Sequence, residues 1–125
     1  MCYAITMAKE DTYSIENTQS QMRKGFLEFP VLLIVGKKAT YASDILKTLK
    51  KADLLVVEGT LYPLLSRLKR YGLVAYSWKE SRSGPPRKYY TITKKGIAAL
   101  RTLEASWKTL DTSVNALIKQ YEKSN

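Results

Sequence analysis

Between Glu58 and Gly72 the apolar positions recur as they do on one side of a helix. At about 100° per residue, Leu61, Leu64, Leu65 and Leu68 fall on one face. Gly59, Tyr62, Pro63, Ser66, Arg67 and Arg70 fall on or beside the opposite face. Gly72 follows where a left-handed residue just past a helix is cheapest as glycine. Upstream, Tyr41 to Lys51 places Ala42, Ile45, Leu46 and Leu49 on a shared face and predicts a helix of about three turns, with Thr40 as its cap. The connection from Ala52 to Val57 joins the two helices as a helix-turn-helix, slightly longer than the tightest versions.

The rhythm changes after Gly72. Leu73 to Trp78 and Arg87 to Ile92 are rich in β-formers and predict two strands. Lys79 to Pro86, with Gly84, two prolines and two serines, predicts the turn between them. A basic hairpin directly after a helix-turn-helix is a wing, and its tip carries Arg82 next to Arg87 and Lys88. The last rhythm is the most regular. Leu100, Leu103, Trp107, Leu110, Val114, Leu117 and Tyr121 follow spacings of 3, 4, 3, 4, 3 and 4, an a/d register. Thr93 is placed to cap this helix. Its length, roughly 40 Å at the usual rise, exceeds what covering a small winged domain requires and implies pairing with a second chain.

The segment Met22 to Val35 is apolar around most of the wheel and predicts a buried helix closed by Gly36, with a kink or late start at Pro30. Residues 1–21 are polar without a helical stripe, and are expected to form a flexible N-terminal arm. Met7 and Met22 leave open a start farther downstream. The expected organisation is therefore an arm (1–21), a winged helix-turn-helix domain (22–96) and a C-terminal dimerisation helix (97–125). The fold class is mainly α with a small β-hairpin.

Charge sharpens this picture. The chain carries a formal +10, but residues 22–96 hold sixteen Lys/Arg against five Asp/Glu, a net of +11. A polyanion is the expected partner of that segment. The absence of histidine, a single cysteine (Cys2) and the lack of a Gly-rich phosphate loop leave no nucleophile–base pair and no metal set, so neither an enzyme nor a cofactor is expected. The longest apolar run, Val31 to Val35, is far short of a membrane span, and no secretory signal opens the chain; a cytoplasmic protein is expected. A membrane-surface role lacks its amphipathic basic helix.

Three stretches taken together, Glu58 to Leu68, Gly72-Leu73-Val74 and Gly84 to Gly96, resemble the PadR family of bacterial transcription regulators. Arg23 to Glu28 is similar to that family's first helix and Tyr41 to Leu46 to its second. Pro30 and Val57 depart from the family pattern, the first where the family's helix usually continues. The resemblance implies a winged helix-turn-helix homodimer that represses a nearby operon from an inverted-repeat operator on double-stranded DNA, and that a small aromatic effector releases.

Within the family the chain resembles the short C-terminal-helix branch and its multidrug-sensing members, in which a tryptophan sandwiches flat ligands at the dimer interface. By that resemblance Trp107, with Leu103 and Phe29, lines an effector pocket, and the seam residues Leu100 to Tyr121 form the dimer interface. Phosphate contacts are expected from Tyr41, Tyr62, Lys88 and the wing cations Arg82 and Arg87. Base edges are expected to meet Thr60, Tyr62, Pro63 and Ser66, with Arg67 reaching guanine from farther along the helix. No Asn or Gln lies on that face, so apolar contact of Pro63 with a thymine methyl and shape readout would carry much of the specificity. The alternative is a winged-helix adaptor that binds protein rather than specific DNA.

Overall fold

The computed structural model describes residues 12–54 and 56–124. Helices α1 (Ile15–Phe26), α2 (Glu28–Lys37), α3 (Ala42–Lys51) and α4 (Glu58–Arg70) surround a small sheet of β1 (Thr40–Tyr41), β2 (Val74–Ser81) and β3 (Gly84–Ile92). A long α5 (Lys94–Ser124) follows. The sheet is antiparallel in the order β1-β3-β2.

The core forms where the predicted inner faces converge. Leu61, Leu64, Leu65 and Leu68 of α4, Ile45 and Leu49 of α3, and Val31, Leu32 and Val35 of α2 are all buried, closed at the sheet end by Val74 and Tyr90. Burying a side chain of this size contributes roughly 1.5–3 kcal/mol, so these few residues hold the domain together. Two of the helices end in the same device. After α4, Gly72 takes φ 76°, and the Leu73 amide donates to the Leu68 carbonyl at 2.9 Å. After α3, Asp53 takes φ 60°, and the Leu54 amide donates to the Leu49 carbonyl at 2.8 Å. Each left-handed residue satisfies terminal carbonyls and turns the chain sharply.

Four local expectations are corrected. Residues 15–21, expected as part of an arm, are helical; residues 1–11 of that arm lie outside the described residues. Ser14 caps α1 by accepting from the Asn17 amide at 3.2 Å, and Glu16 and Arg23/Lys24 complement its two ends. The expected single helix from Met22 is two, α1 and α2, meeting at Leu27. Pro30 has no amide to give the Phe26 carbonyl and its ring crowds that group, but it sits well in the first turn of α2. Gly36 lies within α2, not at its end, and a Cβ there would stand 3.3 Å from Leu100 Cδ2. Thr40 is no cap: it is buried in β1 opposite Tyr90, and Tyr41 precedes α3 without a side-chain capping bond.

The junction of wing and α5 is tied by a clasp. The Gly96 amide donates to Thr93 Oγ1 at 2.9 Å, as expected of a cap, and the Thr93 amide donates to the Leu73 carbonyl at 3.1 Å. The Thr93 hydroxyl lies 2.6 Å from the Gly72 carbonyl oxygen. Gly96 is buried with no room for a side chain. Beyond it α5 runs 31 residues in all, about 46 Å. Leu100 and Leu103 pack on their own domain's core. Farther along, the seam turns outward: Leu110 is 57% exposed, Val114 51%, Leu117 62% and Tyr121 69%.

Candidate nucleic-acid interface

With its four leucines inward, α4 presents Tyr62, Pro63 and Ser66 to the outside. Facing them is the inner side of the hairpin, where Tyr76 pairs with Tyr90 and Trp78 with Lys88 across the strands. A groove of about 360 Å³ lies between helix and hairpin, lined by Tyr41, Ser43, Tyr62, Ser66, Trp78, Arg87, Lys88 and Tyr90. Five of the residues named from the sequence for DNA contact thus share one groove: Tyr41, Tyr62, Ser66, Arg87 and Lys88. Pro63 is exposed one position beyond Tyr62.

The hairpin is longer than the sequence pattern indicates. Pairing continues through most of the expected turn, with Lys79 opposite Arg87 and Ser81 opposite Gly84, so the reversal is confined to Arg82 and Ser83. A register shift between Lys79 and Ser81 accompanies Pro85 and Pro86 on the facing strand, which have no amides to give a regular ladder. Arg82 is therefore exposed at the very tip.

The cations of this region are propped on rings. The Arg87 guanidinium lies 4.0 Å over the Tyr41 ring and donates to Ser43 Oγ at the start of α3. Lys88 Nζ stands 4.5 Å from the Tyr76 ring centroid and Lys79 Nζ 4.7 Å from that of Tyr89. Tyr41 and Tyr89 themselves meet at 4.9 Å. Such contacts restrict long side chains while leaving the charge at the surface for a phosphate. Burial, reinforced by the hydroxyls of Tyr76 and Tyr62, pushes the Tyr90 phenol above its ordinary value.

Two residues named with that set lie elsewhere. Thr60 borders a hollow shared with Ser20, Arg23 and Lys24, on the α1 side of α4. Arg67, one position past Ser66, turns away from the groove and pairs with Glu28 of α2, its Nε 3.1 Å from Oε1.

That second side holds the tryptophan site. The Trp107 ring stacks on Phe26, centroids 5.7 Å apart and planes within 18°. On one flank lies an almost wholly apolar cavity of about 330 Å³ between Phe26, Phe29, Pro30, Leu33, Ile34 and Trp107. On the other lies one of about 290 Å³ bounded by Phe26, Phe29, Leu103 and Trp107, with Lys24, Glu28, Arg67 and Ser106 at its polar end. Trp107, Leu103 and Phe29 are thus brought together. Sequence reasoning places Phe26 only in a core helix; its spacing of three from Phe29 is the signal that could have found it. Among the described residues no helix is long and apolar enough to cross a membrane, and no His/Cys/Asp/Glu group is arranged to hold a metal.

Comparison with known proteins agrees with this geometry. Residues 31–102 match the family described as "Transcriptional regulator PadR-like family". The chain is similar to a PadR-like transcription factor from Bacteroides fragilis: 57% identity, 81% of this chain and 98% of that one covered, TM-score 0.68. It is also similar to a PadR-like transcriptional regulator from Bacillus cereus: 39% identity, 78% and 96% covered, TM-score 0.69. An uncharacterised protein of Lysinibacillus sphaericus is 24% identical over 107 residues, 83% of this chain and 98% of that one.

Proposed function

The chain belongs to the PadR-like family of transcriptional regulators, a DNA-binding family, and from that premise we propose that it acts as a homodimeric repressor on an inverted-repeat operator, released by a flat aromatic effector. The observation that carries the DNA contact is the groove joining Tyr62 and Ser66 of α4 to Arg87 and Lys88 of the wing and to Tyr41. In this reading α4 enters the major groove and Tyr62, Pro63 and Ser66 meet base edges. Tyr41, Arg87, Lys88 and Arg82 hold phosphates, supplying affinity with little sequence information. Arg67, tied to Glu28, is left out of base reading, and Thr60 serves the strand on the α1 side.

Two copies pair along the outward seam of α5 from Leu110 onward, setting their recognition helices about one DNA turn, roughly 34–36 Å, apart. The effector stacks on Trp107 beside Phe26 and Phe29. It shifts the operator equilibrium only as far as it prefers one arrangement of the dimer over the other.

A salt-titrated binding measurement on the chain's own promoter tests the DNA contact. A steep fall of log affinity with log salt is expected, and Tyr62→Ala should weaken operator binding with the fold intact, as judged by unchanged circular dichroism. Unchanged affinity in Tyr62→Ala refutes the placement of α4, and a flat salt response refutes phosphate binding by the wing, favouring an adaptor role.

A further inference from the structure

The proposed DNA contacts make no use of Trp78. Its indole is 62% exposed, in the groove that Tyr62 and Ser66 of α4 share with Arg87 and Lys88 of β3. The ring meets that of Tyr76 at 86°, centroids 5.9 Å apart, and Lys88 Nζ lies 5.6 Å from its own centroid. Lys88 is the direct cross-strand neighbour of Trp78, so both side chains project from the same face of the sheet. These contacts steady the indole without covering it. A lone apolar side chain at a surface is unremarkable in itself; this one stands among the cations of an outward-facing groove.

We infer that Trp78 packs on a deoxyribose of the DNA backbone, next to the phosphate held by Lys88. This rests on the proposed placement of α4 and the wing on duplex DNA, and adds to it a contact that carries no charge. A nucleic-acid strand alternates anionic phosphate with less polar sugar. Lys88 and Trp78, on strands about 5 Å apart, present the matching pair of cation and apolar ring. The ring lies four positions short of Arg82 at the hairpin tip, which sets it against the backbone rather than deep between base pairs. Every nucleotide offers the same sugar, so the contact adds affinity and fixes the seat of the wing without reading sequence.

The test is fluorescence anisotropy of the full-length protein on a labelled duplex from its own promoter, at several salt concentrations. Trp78→Ala should bind about tenfold more weakly, the loss that corresponds to roughly 60 Å² of apolar surface left in water. Its salt slope should be unchanged, because a neutral ring releases no counterion, whereas Lys88→Gln lowers the slope by about 1. The loss should be alike on the promoter and on an unrelated duplex, and Trp78→Phe should recover most of it. Adding the duplex should shift the parent's tryptophan emission to the blue, and this shift should be absent in Trp78→Phe. If urea unfolding shows Trp78→Ala to be destabilised, the emission shift alone decides. Parent-like affinity of a stable Trp78→Ala, or an emission shift that survives in Trp78→Phe, overturns the inference and leaves the proposed DNA reading standing. A loss confined to the promoter duplex overturns sugar packing in favour of a base contact. Absence of salt-dependent binding by the parent protein overturns both readings.

Discussion

Replacing Gly96 with alanine is expected to destabilise the protein by at least about 2 kcal/mol, against the usual trend for a helix. In an ordinary helix interior, glycine to alanine stabilises by about 1 kcal/mol. Here a Cβ would lie 2.0 Å from the Leu73 carbonyl oxygen, 2.7 Å from Ile92 Cγ1 and 3.0 Å from the Leu73 carbonyl carbon. Two of those three atoms are backbone and cannot rotate aside. Relief requires lifting the first turn of α5 off the Gly72–Leu73 turn, which breaks the contacts of Thr93 with the Gly72 and Leu73 carbonyls. Each net hydrogen bond is worth about 1 kcal/mol, and overpacking in a closed site adds about 1–3 kcal/mol, which together exceed the propensity gain. Gly25→Ala is the matched control, since it too lies in a helix but has nothing within 4 Å of its Cβ position; it should be stabilised by some tenths to about 1 kcal/mol. Urea unfolding at equilibrium, followed by circular dichroism, measures both. Equal or greater stability of Gly96→Ala would show that α5 does not need this close approach, and the clasp would lose its basis.

Gly72→Ala should cost about 1–2 kcal/mol from backbone strain alone, because φ is 76° while the nearest atom to an added Cβ, Lys95 Cδ, is a comfortable 3.8 Å away; the same unfolding assay checks it. Lys88→Gln should weaken binding almost equally across operator sequences and reduce the salt slope by about 1, as for loss of a single phosphate contact, read by fluorescence anisotropy at several salt concentrations. Leu117→Lys should shift sedimentation toward a single protomer at micromolar concentration, since this position lies on the exposed seam and not on the core; an unchanged dimer would place the interface elsewhere.

Most of the fold is legible in the sequence because its signals are local. The four leucines of α4, Gly72 as its stop, Thr93 as the cap of α5 and the β-rich stretches of the wing each follow from spacing or backbone preference alone. What the pattern misses depends on neighbours distant in the chain. β1 is two residues long, too short for any alternation, and is defined only by its pairing with Tyr89 and Tyr90. The helix α1 has no buried residue and is built on a cap and charges rather than an apolar stripe. Arg67 falls beside Ser66 on the outward side of a helical wheel, and only the position of Glu28 shows which way it turns. The stacking of Arg87 on Tyr41 likewise needs β1 beside β3, which no periodicity reveals.

The placement of these parts makes α5 the common frame of the molecule. Its first turn is fastened to both ends of the wing through Thr93 and Gly96. Leu100 and Leu103 fix it to the core, Trp107 forms a wall of both cavities, and the exposed seam begins at Leu110. From Gly96 to Trp107 is 11 residues, a lever of about 16 Å. A tilt of about 5° about the clasp moves Trp107 by roughly 1.5 Å, nearly half the thickness of an aromatic ring. A ring of the proposed kind inserted between Trp107 and Phe26, now stacked at 5.7 Å, would call for a displacement of this order, which a small tilt of a stiff helix supplies. Because the far end of that helix carries the proposed dimer seam, the same tilt reorients one winged head against the other. Communication between the proposed ligand and operator would then need no separate relay: Trp107 and the glycine that meets the wing lie on one continuous helix.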